Sequence, residues 1–265
     1  MRGILFDMDG VLYNSEDPIK GAAEALAWVR QKAIPHLFVT NTTSRGRDVL
    51  VQKLDRLGIQ ASRDSILTPC VAAIQWLREQ PAGKVALFVA PKALSEFEGL
   101  EQLDAGAETG ASYVVIGDLG DAWSFGTLNR AFRLLHSNSK AVLVALGMTP
   151  FWHSHDGLRL DVAPFVAALE YATGRKPIVC GKPDKSFFLA AVEQLGIPAH
   201  EILMIGDGIE TDVAGAQKAG LRAALVRTGK FRPSDLEGAV VPDLILDSIA
   251  DLPTQIPDFK FQIPE

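Results

Sequence analysis

Two cysteines in 265 residues are too few to staple a fold, and Cys70 and Cys180 both sit among apolar neighbours. Two reduced core thiols of a cytoplasmic protein are therefore expected, not a disulfide framework. Long apolar runs are also missing. None approaches the ~18 residues of a membrane-spanning helix. Met1 passes through Arg2 and Gly3 into the short run Ile4-Leu5-Phe6 without a signal-type apolar segment. Nor is there an excess of positive charge, since 26 Lys+Arg face 32 Asp+Glu for a formal charge of −6. That balance argues against a general nucleic-acid binder. It leaves an anionic small substrate open, because a bound cation inverts the local sign. Neither a repeat period nor a low-complexity tract is visible. What remains is an ordinary globular composition, 48% hydrophobic and 22% charged, in a chain long enough for one large domain or two.

The apolar residues come in short blocks. Ile4-Leu5-Phe6, His36-Leu37-Phe38-Val39 and Ile202-Leu203-Met204-Ile205 each run into polar residues, and Val85–Val89, Tyr113–Ile116, Ala141–Val144, Ile178–Cys180 and Ala223–Val226 have similar lengths. Blocks of 3–6 residues without alternation suit strands buried on both faces, as in parallel sheets. Between them lie helical patterns over Gly21–Lys32, Val49–Leu57, Leu128–Leu135, Val162–Tyr171, Lys185–Leu195 and Thr211–Ala219, several stopped by a glycine such as Gly58, Gly196 or Gly220. Alternating strand and helix predicts an α/β fold with right-handed crossovers. In such sheets ligands sit beyond the carboxyl ends of the strands. The polar residues after Phe6, Val39 and Ile205 then form one candidate site, provided those strands are neighbours.

Four motifs lie at such strand ends. Asp7-Met8-Asp9-Gly10 puts two carboxylates two residues apart, with a glycine to permit the turn; an Asx-type turn explains the same residues. Thr40-Asn41-Thr42 offers hydroxyl and backbone N–H groups for an anion, or for capping a helix. Gly181-Lys182-Pro183 supplies a cation, or a solvated lysine. Gly206-Asp207-Gly208-Ile209-Glu210-Thr211-Asp212 brings two more carboxylates, with helix N-capping by Asp207 or Thr211 as the alternative. Each alternative is reasonable alone; all four motifs in this order, each after an apolar strand, are hard to ascribe to chance.

This set resembles motifs one to four of the haloacid dehalogenase superfamily of phosphatases. About 140 residues separate Asn41 from Lys182, which is similar to subfamily IIA, whose large α/β cap is inserted between motifs two and three. The resemblance implies a Rossmann-like, doubly wound parallel-sheet core over residues 1–80 and 177–265, and an inserted α/β cap over 81–176. It implies a Mg²⁺-dependent phosphatase in which Asp7 attacks phosphorus to form an aspartyl phosphate, and Asp9 protonates the leaving group and then activates water. The metal would be held by the Asp7 and Asp207 carboxylates and the Asp9 main-chain carbonyl, with Asp212 orienting metal-bound water or Lys182. Thr40, the Asn41 backbone N–H, Thr42 and Lys182 would hold the phosphoryl oxygens. Many members carry Asn or Glu where this chain has Thr42. Further stretches, among them Asp156–Val162 and Val226–Asp235, are similar to a branch acting on pyrophosphate and on P–N compounds such as phospholysine or phosphohistidine. Cytoplasmic location and a homodimer are implied as well.

The stretch Phe151-Trp152-His153-Ser154-His155-Asp156-Gly157 departs from that branch. Asp156-Gly157 reads as a hairpin turn. His153 and His155 share strand parity and could face one side, as two half-exposed histidines or as a second metal site; Trp152 would pack on the other. Asp118 and Asp121 read as acidic loop residues. Rival functions are a general sugar-phosphate or nucleotide phosphatase, a mutase that returns phosphate to its substrate, and a non-catalytic binding module. The last should have lost the nucleophile or a metal carboxylate, yet Asp7, Asp9, Lys182, Asp207 and Asp212 are all present.

Overall fold

The computed structural model describes residues 1–154 and 157–256. In chain order its strands are β1 (Gly3–Asp7), β2 (Tyr13–Asn14), β3 (Asp17–Pro18), β4 (His36–Val39), β5 (Ile66–Leu67), β6 (Val85–Phe88) and β7 (Tyr113–Ile116). There follow β8 (Val142–Ala145), β9 (Phe151–Ser154), β10 (Gly157–Leu160), β11 (Ile178–Val179), β12 (Ile202–Gly206), β13 (Arg222–Val226) and β14 (Leu244–Leu246). The α-helices are α1 (Ala22–Gln31), α2 (Arg47–Arg56), α3 (Pro69–Glu79), α4 (Phe125–Ser137), α5 (Val162–Thr173), α6 (Lys185–Leu195), α7 (Gly215–Lys218) and α8 (Leu252–Gln255). The chain divides into two compact units, one of Met1–Thr40, Asp48–Leu67 and Lys182–Glu265, the other of Asn41–Arg47 and Thr68–Gly181.

The first unit is built on a six-stranded parallel sheet in the order β14-β13-β12-β1-β4-β5. Every residue of β1 and β12 is buried, which explains why these strands read as continuous apolar blocks. Phe6, Phe38, Leu26, Leu54, Leu203 and Ile249 belong to one core around this sheet and its helices, none of them measurably exposed. Each such side chain contributes roughly 1.5–3 kcal/mol through burial. Ala22, Ala25, Leu26 and Val29 form the buried face of α1, as their spacing predicts. The α2 pattern ends at Gly58, whose φ of +74° an L side chain rarely adopts.

The second unit has its own parallel sheet, β11-β8-β7-β6, and its own core, in which Val114, Ile116, Leu134, Leu135 and Val166 are fully buried. Trp123 stacks on Phe165, ring centroids 4.3 Å apart. The antiparallel pair β9–β10 is present; His155 and Asp156, and with them the expected histidine pair, lie outside the described residues. Trp152 is 41% exposed, so packing covers only part of its side chain. Some departures are elements too short for a period to show: β5, the β2–β3 hairpin and β14. Helix α3 was also not anticipated; Thr68 Oγ1 caps it by accepting from Val71 N at 3.3 Å, with Pro69 in its first turn. Among the described residues no helix is long and apolar enough to cross a membrane.

Candidate active site

Strand β1 lies between β12 and β4, with Phe6 opposite Ile205 and Asp7 opposite Val39. The neighbour relation that a shared site requires is therefore met. Asp7 ends β1, Thr40 follows β4, and Asp207 follows β12, all at the carboxyl edge of one parallel sheet.

Asp7, Lys182, Asp207 and Asp212 are each at least 94% buried, Asp7 being the most exposed at 6%. Lys182 Nζ lies 2.8 Å from Asp7 Oδ1 and 2.7 Å from Asp212 Oδ1. Asp7 Oδ1 also accepts from the Met8 N–H at 2.8 Å. Burial works against the charge on Lys182, but Asp212 and Asp7 outweigh it and hold the ammonium above the ordinary lysine value. Burial pushes Asp7 up to about 7; Lys182 pulls it down, and Asp212 and Asp207 push it further up. Asp207 is raised as well, by burial first, with Lys230 opposing and Asp212 adding to the shift. One ammonium thus faces three crowded carboxylates.

The two aspartates after β12 are held differently. Asp212 sits in a π-helical turn, Ile209–Ala214, where Val213 N donates to Gly208 O at 3.2 Å. The helix expected over Thr211–Ala219 therefore opens wide, a departure common at functional sites. Both Asp212 oxygens are engaged within the protein, Oδ1 by Lys182 and Oδ2 by the Gly208 N–H at 3.0 Å. Asp207 Oδ2 accepts from the Lys230 N–H at 2.7 Å, whereas its Oδ1 is buried with no hydrogen-bond partner. A buried carboxylate oxygen without a donor costs free energy unless something cationic faces it. Carboxylate oxygens of Asp7, Asp207 and Asp212 lie within 4.8 Å of one another, and all-oxygen donor sets suit hard divalent cations. The residues present fit such an ion.

Asp9 is exposed, and its Oδ1 accepts from the Ser15 N–H at 3.2 Å. Thr40 is buried, its N–H donating to Leu67 O at 3.2 Å. Asn41 and Thr42 group with the second unit and are half-buried. In that unit Asp118 donates its N–H to Thr43 Oγ1, and Asp121 pairs with Arg159 at the surface.

Sequence reasoning missed the loop after β13. Lys230 holds Asp207 through its backbone, and Thr228 Oγ1 donates to Gly10 O at 2.5 Å. A Cβ on Gly10 would fall 2.0 Å from Asp207 Oδ2, and one on Gly229 would fall 2.2 Å from the same atom. These glycines let two loops close around one carboxylate. A glycine between polar residues after a buried strand was the available signal.

The profile described as "Haloacid dehalogenase-like hydrolase" matches residues 4–101, and a HAD-hydrolase-like profile matches 179–252. Human phospholysine phosphohistidine inorganic pyrophosphate phosphatase is 41% identical over 239 residues, spanning 89% of this chain and 86% of that protein. The chain belongs to the haloacid dehalogenase-like hydrolase family. Haloacid dehalogenase-like hydrolase domain-containing protein 2 of Bos taurus is 40% identical over 89% of this hydrolase and 87% of its own length. Among solved structures, the p-nitrophenyl phosphatase of Archaeoglobus fulgidus superposes with a TM-score of 0.86 at 27% identity, covering 95% of this chain and 97% of that one. NagD of E. coli K-12, at 22% identity and a TM-score of 0.84, shares the fold. This member of the family is a phosphatase, a hydrolase with a Rossmann-like parallel sheet.

Proposed function

We propose that this phosphatase works through an aspartyl phosphate on Asp7, depends on Mg²⁺, and favours pyrophosphate or P–N substrates such as phospholysine and phosphohistidine. The observation that carries the mechanism is the carboxyl edge of the sheet, where Asp7 ends β1 against Lys182 while Asp207 keeps an unpaired buried oxygen. Asp7 Oδ1 accepts from Lys182 and the Met8 N–H, and the Asp7 carboxylate attacks phosphorus. Its P–O bond forms as the bond to the leaving group breaks. Asp9 gives its proton to the departing oxygen or nitrogen, then takes one from the water that hydrolyses the acyl phosphate. Thr40, the Asn41 N–H, Thr42 and Lys182 hold the phosphoryl oxygens. Asp7, Asp207 and the Asp9 carbonyl would hold Mg²⁺, and Asp212, with both oxygens committed, orients Lys182. When bound, Mg²⁺ offsets the negative charge shared by nucleophile and phosphate.

In this scheme residues 1–80 and 177–265 form the catalytic core and residues 81–176 the cap that selects the leaving group. The substrate preference rests on the 41% identity to the human enzyme and on the cap stretches that resemble its branch. A cytoplasmic homodimer is part of the same proposal, with Phe125 on α4 and Tyr171 on α5, 86% and 94% exposed, among the side chains a contact would cover. A phosphate-release panel with Mg²⁺ tests the proposal, comparing pyrophosphate and a phosphoramidate with sugar phosphates and nucleotides. Preference for pyrophosphate or the P–N compound is expected. A clear preference for a sugar phosphate would overturn the substrate assignment, and substantial turnover by Asp7→Asn would overturn the mechanism.

A further inference from the structure

Lys53 stands apart from the carboxylate cluster and takes no part in the chemistry above, yet it is a lysine only 7% exposed. Charged side chains are buried to this degree only when something holds them. Lys53 projects from α2 into the β2–β3 hairpin. Its Nζ donates to the Ser15 carbonyl, lies 3.2 Å from the Glu16 carboxylate, and sits 4.0 Å from the centroid of the Tyr13 ring. Glu16 is largely exposed, so that ion pair is weak. The ring and the carbonyl are the fixed partners.

Ser15, at the tip of the hairpin, has a φ of +54°. A non-glycine residue in the left-handed region costs free energy unless its surroundings impose the conformation. The Ser15 carbonyl is held by Lys53, and the Ser15 N–H points to Asp9 Oδ1 at 3.2 Å. Among the described residues this is the one hydrogen bond to the Asp9 carboxylate. The hairpin base is closed by Gly10 N to Tyr13 O at 2.7 Å and Ile19 N to Leu12 O at 3.0 Å. An exposed carboxylate that must deliver a proton along one direction gains from such orientation, since misplacement by about 1 Å can cost ~10²-fold in rate.

We infer that Lys53 is a positioning residue: by fixing the Ser15 peptide, it holds the Asp9 carboxylate in the orientation for proton transfer to the leaving group. This rests on Asp9 being the general acid. The consequence is selective. A nitrophenolate departs from phosphorus without a proton at neutral pH, whereas an alkoxide needs one. Loss of Lys53 should therefore penalise alkyl phosphates more than aryl phosphates. A general loosening of the fold would lower both alike.

The test compares kcat/KM for p-nitrophenyl phosphate and glycerol phosphate, which reports the steps through formation of the phosphoenzyme, in the full chain with Mg²⁺. Lys53→Met should raise the aryl-to-alkyl ratio about tenfold or more, and Lys53→Arg should bring it back toward the parent value. Asp9→Asn, run alongside, should raise the ratio further. Should Lys53→Met not fold, Lys53→Gln keeps a donor for the Ser15 carbonyl while losing the charge, and should raise the ratio by a smaller factor. If Asp9→Asn raises the ratio and no folded Lys53 variant does, the role of Lys53 is overturned. If Asp9→Asn itself leaves the ratio unchanged, the assignment of Asp9 as the acid fails instead.

Discussion

Replacing Lys182 by methionine keeps most of the side chain's volume and removes its charge, leaving Asp7 and Asp212 without the cation that both contact at under 3 Å. At an effective dielectric of about 20, each contact is worth about 6 kcal/mol of Coulomb energy. Against that stands a desolvation cost of several kcal/mol for each of the three buried ions. The net worth of the triad is thus small, but removing one partner is not. The two carboxylates stay desolvated with nothing opposite, and the expected loss of stability is about 3–5 kcal/mol. Denaturant unfolding of chelator-treated protein measures it, so that no divalent cation substitutes for the ammonium. Activity should fall about 10²–10³-fold in kcat/KM, the usual effect of losing one group that stabilises transition-state charge. Lys182→Met combined with Asp212→Asn separates the two effects. Removing one of the opposed carboxylates should recover part of the stability and little of the activity, because Asp7 still lacks its partner. A single variant within about 1 kcal/mol of the parent would refute the view that these charges are balanced against one another.

Three further outcomes follow from individual side chains. Asp207→Asn removes the unpaired anionic oxygen; a thermal melt should show a Mg²⁺-induced rise of about 5–10 °C for the parent near 100 times Kd and little for the variant. Gly10→Ala places a methyl against Asp207 at a φ of +86° and should destabilise by about 1–3 kcal/mol, with loss of phosphate release. Burial, opposed by a hydrogen bond from Val162 and aided by Asp118, pushes Asp161 up to about 6 from 3.8, so the folded chain carries it uncharged at low pH and must ionise it as pH rises. That contribution is complete below about pH 4 and is lost through pH 6. Asp161→Asn should therefore flatten the stability profile there. At pH 8 the gain over the parent should be about 1–2 kcal/mol, the ~3 kcal/mol of the full shift being discounted for a partly exposed group.

Much of this architecture is legible in the residues because a parallel sheet buries both faces of its strands. Ile4-Leu5-Phe6 and Ile202-Leu203-Met204-Ile205 are apolar for that reason, and the polar residue ending each block marks the ligand-binding edge. The α6 limits, Lys185–Leu195, follow from its apolar spacing and the αL stop at Gly196. Elements of two or three residues such as β2, β3, β5 and β14 carry no period to detect. The π-turn at Asp212 arises from how Gly208 O is shared between Asp212 and Val213 N–H groups, which residue types alone do not specify. Lys230 acts on Asp207 through its backbone, and a backbone donor has no signature in the side chain. Lys53 reads as one more lysine on a helix, since only the fold puts the Ser15 carbonyl and the Tyr13 ring against it.

The charge balance of the site explains how a chain of net charge −6 can act on an anion. Among the described residues Lys182 is the one buried ammonium in contact with the cluster, and its nearest partners are already Asp7 and Asp212. It cannot by itself neutralise three carboxylates and an incoming phosphate. Further positive charge must enter, and the geometry allows little choice of where. Asp212 has both oxygens engaged, and in the proposed mechanism Asp7 attacks phosphorus. Asp207 Oδ1 is buried and unpaired, while its Oδ2 is packed against Gly10 and Gly229, where no Cβ would fit. A cation held there would offset the desolvation that raises Asp7 and Asp207 and so favour phosphate in the proposed scheme. In that scheme changes at Asp207 should move stability and phosphate affinity in opposite directions, which denaturant unfolding and phosphate inhibition in the presence of Mg²⁺ check together.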